Sequence, residues 1–196
     1  MNQKLKFILI SVVIVLVFVG IYMLYHHLGD QYVHSQLATT PNEKETAENS
    51  SDAATDNSKA PDFTVYDAEG NSVRLSDFLG KPVIVNFWAS WCGPCKSEMP
   101  DFQTAYEKYG DQIVFLMINM TDGSQETVQT ASAFIETIGY TFPVYFDSDS
   151  EAAITYGVRS IPTTYFIDAL GNGIAWASGA INESMLEQGI DMIKQP

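Results

Sequence analysis

The two cysteines of this chain lie three positions apart, in the segment Trp91-Cys92-Gly93-Pro94-Cys95. A disulfide that closes so short a loop removes little entropy from the unfolded chain, so a purely structural role is disfavoured. A zinc site needs about four ligands, and the sequence has no second such cysteine pair and no histidine after His34. The spacing therefore predicts redox chemistry rather than a structural disulfide or a metal site.

The segment follows an apolar β-branched run and is expected to open a helix. Unpaired N–H groups and the positive end of the helix dipole favour a thiolate at that position and lower the pKa of the first cysteine. We therefore predict that Cys92 is the nucleophile. Cys95, one turn further along, is expected to attack the mixed disulfide formed between Cys92 and a target protein.

Glu98 follows Cys95 by three residues, which places it on the same face of the expected helix. A carboxylate beside two thiols could take or return the proton when Cys95 becomes a nucleophile. The alternative is an exposed glutamate near the helix start that only the dipole favours. Both interpretations are open at the level of sequence.

The elements that must position these residues can be predicted from apolar patterns. Continuous apolar runs at Pro82 to Trp88 and Ile113 to Ile118 are typical of strands buried on both faces, and the helix between them, ending at Gly110, completes a βαβ unit. Hairpins, further helices and a short strand account for the rest. The expected segments are strands at 63–66, 73–75, 142–146, 163–167 and 173–176, and helices from Val128 to Gly139, near 151–156 and after Asn182.

An uncharged apolar stretch from Phe7 to Tyr25 is long enough to cross the roughly 30 Å hydrocarbon core of a bilayer as a helix. Lys4 and Lys6 precede it, which predicts a cytoplasmic N-terminus and an extracytoplasmic remainder. The stretch exceeds a signal-peptide core of about 7 to 15 residues, so a retained anchor is favoured over a cleaved signal.

Three segments are expected: a cytoplasmic N-terminus and signal-anchor over 1–29, a disordered acidic linker over 30–59, and one folded domain over 60–196. The linker lacks large apolar side chains after Leu37. His26, His27 and His34 are interpreted as polar residues at the membrane surface, because no acidic or thiol partner has ligand-like spacing nearby. The formal charge of −14 argues against nucleic acid as a partner.

Several motifs together resemble the ResA/TlpA-like membrane-anchored thiol-disulfide oxidoreductases of the thioredoxin superfamily. The resemblance covers residues 60 to 196 and implies an α/β thioredoxin-like fold, with a central mixed sheet flanked by helices and an N-terminal hairpin. The motifs that carry it are Ala60-Pro61-Asp62-Phe63, the segment 75–82, Phe87 to Cys95, Glu98-Met99-Pro100, and the segment 161–168.

The resemblance also implies roles for residues away from the cysteines. Ile161-Pro162 is expected to form a cis peptide bond against the cysteine pair, where the Ile161 backbone can pair with an extended target. Trp91, Gly93 and Pro94 complete the expected substrate-binding surface. The redox-active Cys92–Cys95 disulfide is expected to serve without any further cofactor.

One departure concerns the strand before the cysteines. Where cytosolic thioredoxins carry a buried aspartate, this chain has Asn86, which cannot act as a base at neutral pH. The departure gives Glu98, or water, more weight as the proton acceptor.

The dipeptide Gly93-Pro94 is the one found in reducing thioredoxins, so the domain is expected to reduce disulfides of extracytoplasmic proteins, apocytochrome c among the possible targets. By resemblance, the electron donor would be a transmembrane protein of the DsbD/CcdA type. The alternatives are a DsbA-like oxidase of secreted proteins, a thiol peroxidase or a tethered binding module. A peroxidase is disfavoured because Ala89 stands where the peroxidatic motif has a threonine.

Overall fold

The computed structural model describes residues 17–19, 38–39 and 59–194. Of the predicted membrane span, it describes only 17–19, which are helical and exposed. The rest of that span and the three histidines lie outside the described residues. Within the described ranges, no helix combines the length and the apolar character needed to cross a bilayer.

The described residues contain one mixed sheet of eight strands. The strands are β1 (Ala38–Thr39), β2 (Thr64–Tyr66), β3 (Ser72–Arg74), β4 (Val83–Trp88), β5 (Val114–Asn119), β6 (Val144–Phe146), β7 (Thr163–Ile167) and β8 (Gly173–Ser178). Their order in the sheet is β1-β8-β7-β4-β5-β6-β2-β3. The three central strands β4, β5 and β6 are parallel, whereas the flanking pairs are antiparallel. The mixed sheet confirms the predicted fold class.

Within the described ranges, four α-helices flank the sheet, and their ends agree with the sequence signals. The first ends at Gly110 and the second at Gly139, whose φ of 87° is the left-handed conformation that glycine adopts at low cost. Asn182 accepts a hydrogen bond from the Met185 N–H at the start of the last helix. The helices are α1 (Gly93–Tyr109), α2 (Val128–Ile138), α3 (Glu151–Thr155) and α4 (Glu183–Lys194), with a 3₁₀ turn at Leu75–Phe78.

Strand β4 is the centre of the core, and all six of its residues are buried. One face packs into an apolar cluster that includes Phe63, Val65 and Leu116. On the other side of the molecule, α1 and α4 pack against each other and α4 packs on β7 and β8. The prediction of a strand covered on both faces is confirmed, and its carboxyl end leads directly into the cysteine segment.

Both predicted hairpins are present, and the same turn closes each of them. Asp67 accepts hydrogen bonds from the backbone N–H groups of Glu69 and Asn71, and Asp168 accepts them from Leu170 and Asn172. Because an aspartate can satisfy the N–H groups two and four residues later, the repeated Asp-x-x-Gly-Asn pattern specifies both turns locally.

The structure differs from the predicted linker at two places. Ala38–Thr39 forms β1, which pairs antiparallel with Trp176 and Ala175 of β8, and Lys59 forms an isolated bridge with Asn172. An edge strand presents unpaired N–H and C=O groups, so it can bind an extended segment whatever its side chains. Side-chain composition, on which the linker prediction rested, does not report such backbone pairing. Residues 40–58 lie outside the described ranges.

Candidate active site

The cysteine pair lies where β4 ends and α1 begins. Cys92 is the N-cap of α1, and the Cys95 N–H donates to the Cys92 Sγ over 3.2 Å. The two sulfurs form a disulfide, and Pro94 lies in the first turn, where its missing N–H costs nothing. The prediction that the pair opens a helix is confirmed.

The two cysteines differ in how they are buried. Cys92 retains 4% exposure, whereas Cys95 has none. Trp91, Gly93 and Pro94 surround Cys92 in sequence and are all exposed, with Trp91 at 50%. A target protein can therefore reach the Cys92 sulfur more readily than the Cys95 sulfur, which fits the predicted order of attack.

The Ile161–Pro162 peptide bond is cis, as the resemblance implied. It lies beside the disulfide, with the Ile161 carbonyl oxygen 3.7 Å from the Cys92 Sγ. Pro162 is buried and Ile161 is half-buried. The structure thus brings together residues about 70 positions apart, since the loop before β7 lies beside the start of α1.

Glu98 is buried, with only 2% exposure, so the alternative of an exposed glutamate is wrong. Its Oε1 accepts a hydrogen bond from the Asn86 Nδ2 over 2.8 Å, and its Oε2 accepts one from the Ile181 N–H over 3.0 Å. Burial raises the pKa of Glu98 to about 7, and the two hydrogen bonds oppose that rise because they favour the charged form.

Asn86 lies on β4 and is fully buried. Its Nδ2 donates to Glu98 and also to the Thr164 Oγ1 over 3.0 Å. The sequence marks Asn86 only as a departure from cytosolic thioredoxins and predicts neither of its hydrogen-bond partners. No sequence signal links these partners, because they are distant in the chain. Thr164 is 78 positions from Asn86, and Ile181 is 83 positions from Glu98.

Glu126, which no sequence motif singles out, is a fully buried residue in the segment between β5 and α2. Its Oε1 accepts from the Ser90 N–H over 2.9 Å and from the Asn119 Nδ2 over 2.7 Å, and its Oε2 accepts from the Ser90 Oγ over 2.7 Å. Ser90 is two residues before Cys92. Glu126 therefore fixes the position of the short segment that connects β4 to Cys92.

Aromatic residues near the site divide into core and surface. Trp88 is fully buried and packs against Phe134, and Tyr165 packs edge-on against Phe87 and Tyr156. Trp91 is the aromatic residue next to Cys92 that remains open to solvent. Core packing thus accounts for Trp88 and Tyr165, while Trp91 is available to a bound partner.

Comparison with known proteins agrees with this geometry. The profile of the AhpC/TSA family matches residues 57–173. The chain is 36% identical over 138 residues to the thiol-disulfide oxidoreductase ResA of Geobacillus thermodenitrificans (strain NG80-2), covering 70% of this chain and 77% of that protein. It is 33% identical over 143 residues to ResA of Bacillus subtilis (strain 168), covering 73% and 78%.

Solved structures show the same similarity. A crystal structure of a thiol:disulfide interchange protein DsbE from Chlorobium tepidum, described as putative, superposes with a TM-score of 0.60 at 32% identity, covering 67% of this chain and 92% of that one. StoA from Bacillus subtilis superposes with a TM-score of 0.58 at 28% identity, covering 66% and 96%.

Proposed function

The chain belongs to the AhpC/TSA family and is a thiol-disulfide oxidoreductase of the ResA/DsbE type, and from this premise we propose that it reduces disulfides of extracytoplasmic proteins through Cys92 and Cys95. One observation carries the proposal. The Cys92 sulfur caps the start of α1, beside a cis-proline, and Cys92 is the less buried of the two cysteines.

The reaction begins with both cysteines reduced. The Cys92 thiolate attacks one sulfur of the target disulfide, forming a mixed disulfide and releasing the other target sulfur as a thiolate. Cys95 then gives up its proton and attacks the Cys92 Sγ, which releases the second target thiolate and leaves the Cys92–Cys95 disulfide. Two electrons pass to the target, and the Cys92–Cys95 disulfide is the oxidised form of the pair.

Glu98 is the proposed acceptor of the Cys95 proton. It lies one helical turn beyond Cys95, and both residues are buried. A carboxyl group whose pKa is raised to about 7 can take and return a proton near neutral pH without a large free-energy cost in either direction. In the reverse, reductive half-reaction, Glu98 returns the proton to Cys95.

The proposed target surface surrounds Cys92. Trp91, Gly93 and Pro94 are exposed on one side, and the Ile161 backbone next to cis-Pro162 lies on the other. An extended target segment can pair with the Ile161 backbone while its disulfide meets the Cys92 sulfur.

The proposed location is the outer face of a bacterial cell membrane, with residues 7–25 as the anchor. The uncharged sequence of that stretch and the two lysines before it support this arrangement. A reductant outside the cytoplasm needs electrons from across the membrane, so we propose a DsbD/CcdA-type transmembrane donor. The acidic character of the chain fits protein partners rather than nucleic acid.

The direction of electron flow is proposed from Gly93-Pro94, because this dipeptide matches reducing thioredoxins. Reduction potentials of this fold extend from about −270 mV for thioredoxin to about −120 mV for DsbA. A redox titration of the full-length protein against glutathione checks the direction. A potential near −270 mV is expected, and one near −120 mV would instead support the oxidase alternative.

The mechanism is tested with paired cysteine variants. Cys95→Ala should accumulate mixed disulfides with target proteins, because the resolving thiol is missing. These mixed disulfides should persist in denaturant and be cleaved by reductant. Cys92→Ser should trap none and should lose insulin reduction. Trapping by Cys92→Ser with none by Cys95→Ala would reverse the assigned roles, and wild-type insulin reduction in both variants would refute the function.

A further inference from the structure

We propose that Asn86 is a positioning residue that sets the proton affinity of Glu98 and stays hydrogen-bonded to it in both of its protonation states. The inference rests on the proposed role of Glu98 as proton acceptor. It assigns a use to the residue at which this chain departs from cytosolic thioredoxins, where an acid occupies the position.

The amide nitrogen of Asn86 contacts both Glu98 and Thr164. Its Nδ2 lies 2.8 Å from the Glu98 Oε1 and 3.0 Å from the Thr164 Oγ1, so both of its N–H groups are used. Asn86, Thr164 and Glu98 are all almost completely buried. A hydrogen bond from a neutral donor to a buried carboxylate favours the charged form, so Asn86 opposes the effect of burial.

The amide oxygen of Asn86 differs from the nitrogen in its surroundings. The Asn86 Oδ1 is buried and has no hydrogen-bond partner within the described part of the chain. A buried carbonyl oxygen without a partner destabilises the arrangement, because it has lost its hydrogen bonds to water. Rotating the amide by half a turn about its last side-chain bond exchanges Nδ2 and Oδ1, so that the oxygen then faces Glu98 and Thr164.

The rotated amide matches the protonated state of Glu98. A protonated carboxyl group donates an O–H, which the Asn86 Oδ1 can accept, and the Thr164 hydroxyl can reverse from acceptor to donor. The same three side chains thus remain hydrogen-bonded before and after Glu98 takes the proton. An aspartate at position 86 would instead place a second acid beside Glu98.

The other groups that face Glu98 do not respond in this way. Within α1, Cys95 lies one turn before it, and the Asp101 carboxylate raises the pKa of Glu98 by repulsion. The segment before α4 contributes the Ile181 N–H, which can only donate. Strand β4 contributes the neutral side chain of Asn86, whose amide in turn contacts Thr164 of β7. Of the two groups hydrogen-bonded to Glu98, Asn86 and the Ile181 N–H, only Asn86 can both donate and accept.

The kinetic test follows the attack by Cys95 alone. Reduced full-length protein should react with a chromogenic aryl disulfide in two phases, of which the second would report Cys95 displacing the aryl thiolate from Cys92. In the wild type, the second rate should rise with pH through a midpoint near 7, because Glu98 accepts the proton only when ionised. Asn86→Leu removes a donor to the carboxylate and should move that midpoint upward by about one pH unit.

Asn119→Leu is the matched control. Asn119 is also a buried asparagine that donates to a buried glutamate, on the adjacent strand β5, but its partner is Glu126. It should destabilise the fold while leaving the midpoint of the second phase unchanged. An equal shift in both variants would overturn the inference, because general loosening of the core would then explain it.

A measurement on the wild type keeps the test independent of how the variants fold. The side-chain amide resonances of Asn86, followed by ¹⁵N NMR, should change with the midpoint of Glu98, and Glu98→Gln should abolish that change. Resonances that do not respond to pH would overturn the inference. If Glu98→Gln instead keeps the wild-type kinetic midpoint, the proposed role of Glu98 itself fails.

Discussion

Glu98 and Glu126 are two buried glutamates, one three residues after Cys95 and the other bonded to Ser90 before Cys92, yet their surroundings differ. Glu126 accepts three hydrogen bonds, two of them from Ser90. Glu98 accepts two, from groups on other elements, and lies on the same helix as the cysteine pair. Burial without full compensation raises the pKa of Glu98 to about 7.

The difference shows how one residue type can serve two purposes in one domain. Glu126 accepts hydrogen bonds from Ser90, in the loop before Cys92. Its role is structural, because loss of the carboxyl group would leave those donors unpaired. Glu98 has fewer donors and a partner amide that can present either a donor or an acceptor. Its environment is therefore suited to exchanging a proton rather than to holding a loop.

The largest expected effect concerns the structural glutamate. Glu126→Ala should lower the free energy of unfolding by about 4 kcal/mol, because it leaves the Ser90 N–H, the Ser90 hydroxyl and the Asn119 amide unpaired. Urea denaturation of the oxidised protein measures the loss.

Glu126→Gln is the control, because the Ser90 hydroxyl can turn and accept from the new amide while the other two donors keep their oxygen. It should cost less than half as much as Glu126→Ala. Equal losses would mean that the charge, rather than the set of acceptors, holds the loop.

The next effect concerns the pH dependence of stability. Because the pKa of Glu98 is raised from 4.5 to about 7, the folded protein binds this proton more tightly than the unfolded chain. The contribution is fully present below pH 4.5 and is lost as pH rises to about 7, and its size is about 3 kcal/mol. Glu98→Gln should remove this dependence.

The measurement is the difference in unfolding free energy between Glu98→Gln and the wild type, taken at several pH values from 4 to 8. The difference cancels the titration of all other groups. A difference that is constant over this range would contradict the assignment of the raised pKa to Glu98.

A third prediction distinguishes the roles of Glu98 and Glu126 by the rates of attack of Cys92 and Cys95. Glu98→Gln should slow the attack of Cys95 on a mixed disulfide at pH 7 by about 100-fold, the lower range for general base catalysis, while the first attack by Cys92 keeps its rate. Stopped-flow detection of the released aryl thiolate resolves the two steps. Glu126→Gln should leave both rates within about twofold, and a comparable slowing there would erase the functional distinction.

The smallest expected effect is that of Ser90→Ala. It removes the hydroxyl that donates to the Glu126 Oε2 and should cost about 1 kcal/mol of stability without changing either rate. Ser97→Ala, at an exposed position on α1, should stay within about 0.5 kcal/mol of the wild type. Thermal unfolding of both variants checks the pair, and a loss in Ser97→Ala as large as in Ser90→Ala would show that the Glu126 contact adds nothing.

Local patterns in the sequence determined most of the fold. The apolar run of β4, the helix ending at Gly139 and the two Asp-x-x-Gly-Asn turns depend on residues close in the chain, so their predictions were confirmed to within one or two residues. Cys92 and Cys95 were predictable for the same reason, because a helix start and a three-residue spacing are local properties.

Tertiary structure alone decided the use of the acids. Whether Glu98 is exposed or buried depends on Ile181 and Asn86, which approach it from 83 and 12 positions away, and Glu126 reaches Ser90 across 36 positions. The pairing of Ala38–Thr39 with β8 likewise depends on an edge that forms only when the sheet assembles. The sequence by itself determined which groups could do the chemistry. The fold decided how deeply Glu98 is buried and which donors reach it, and burial together with those donors sets its affinity for a proton.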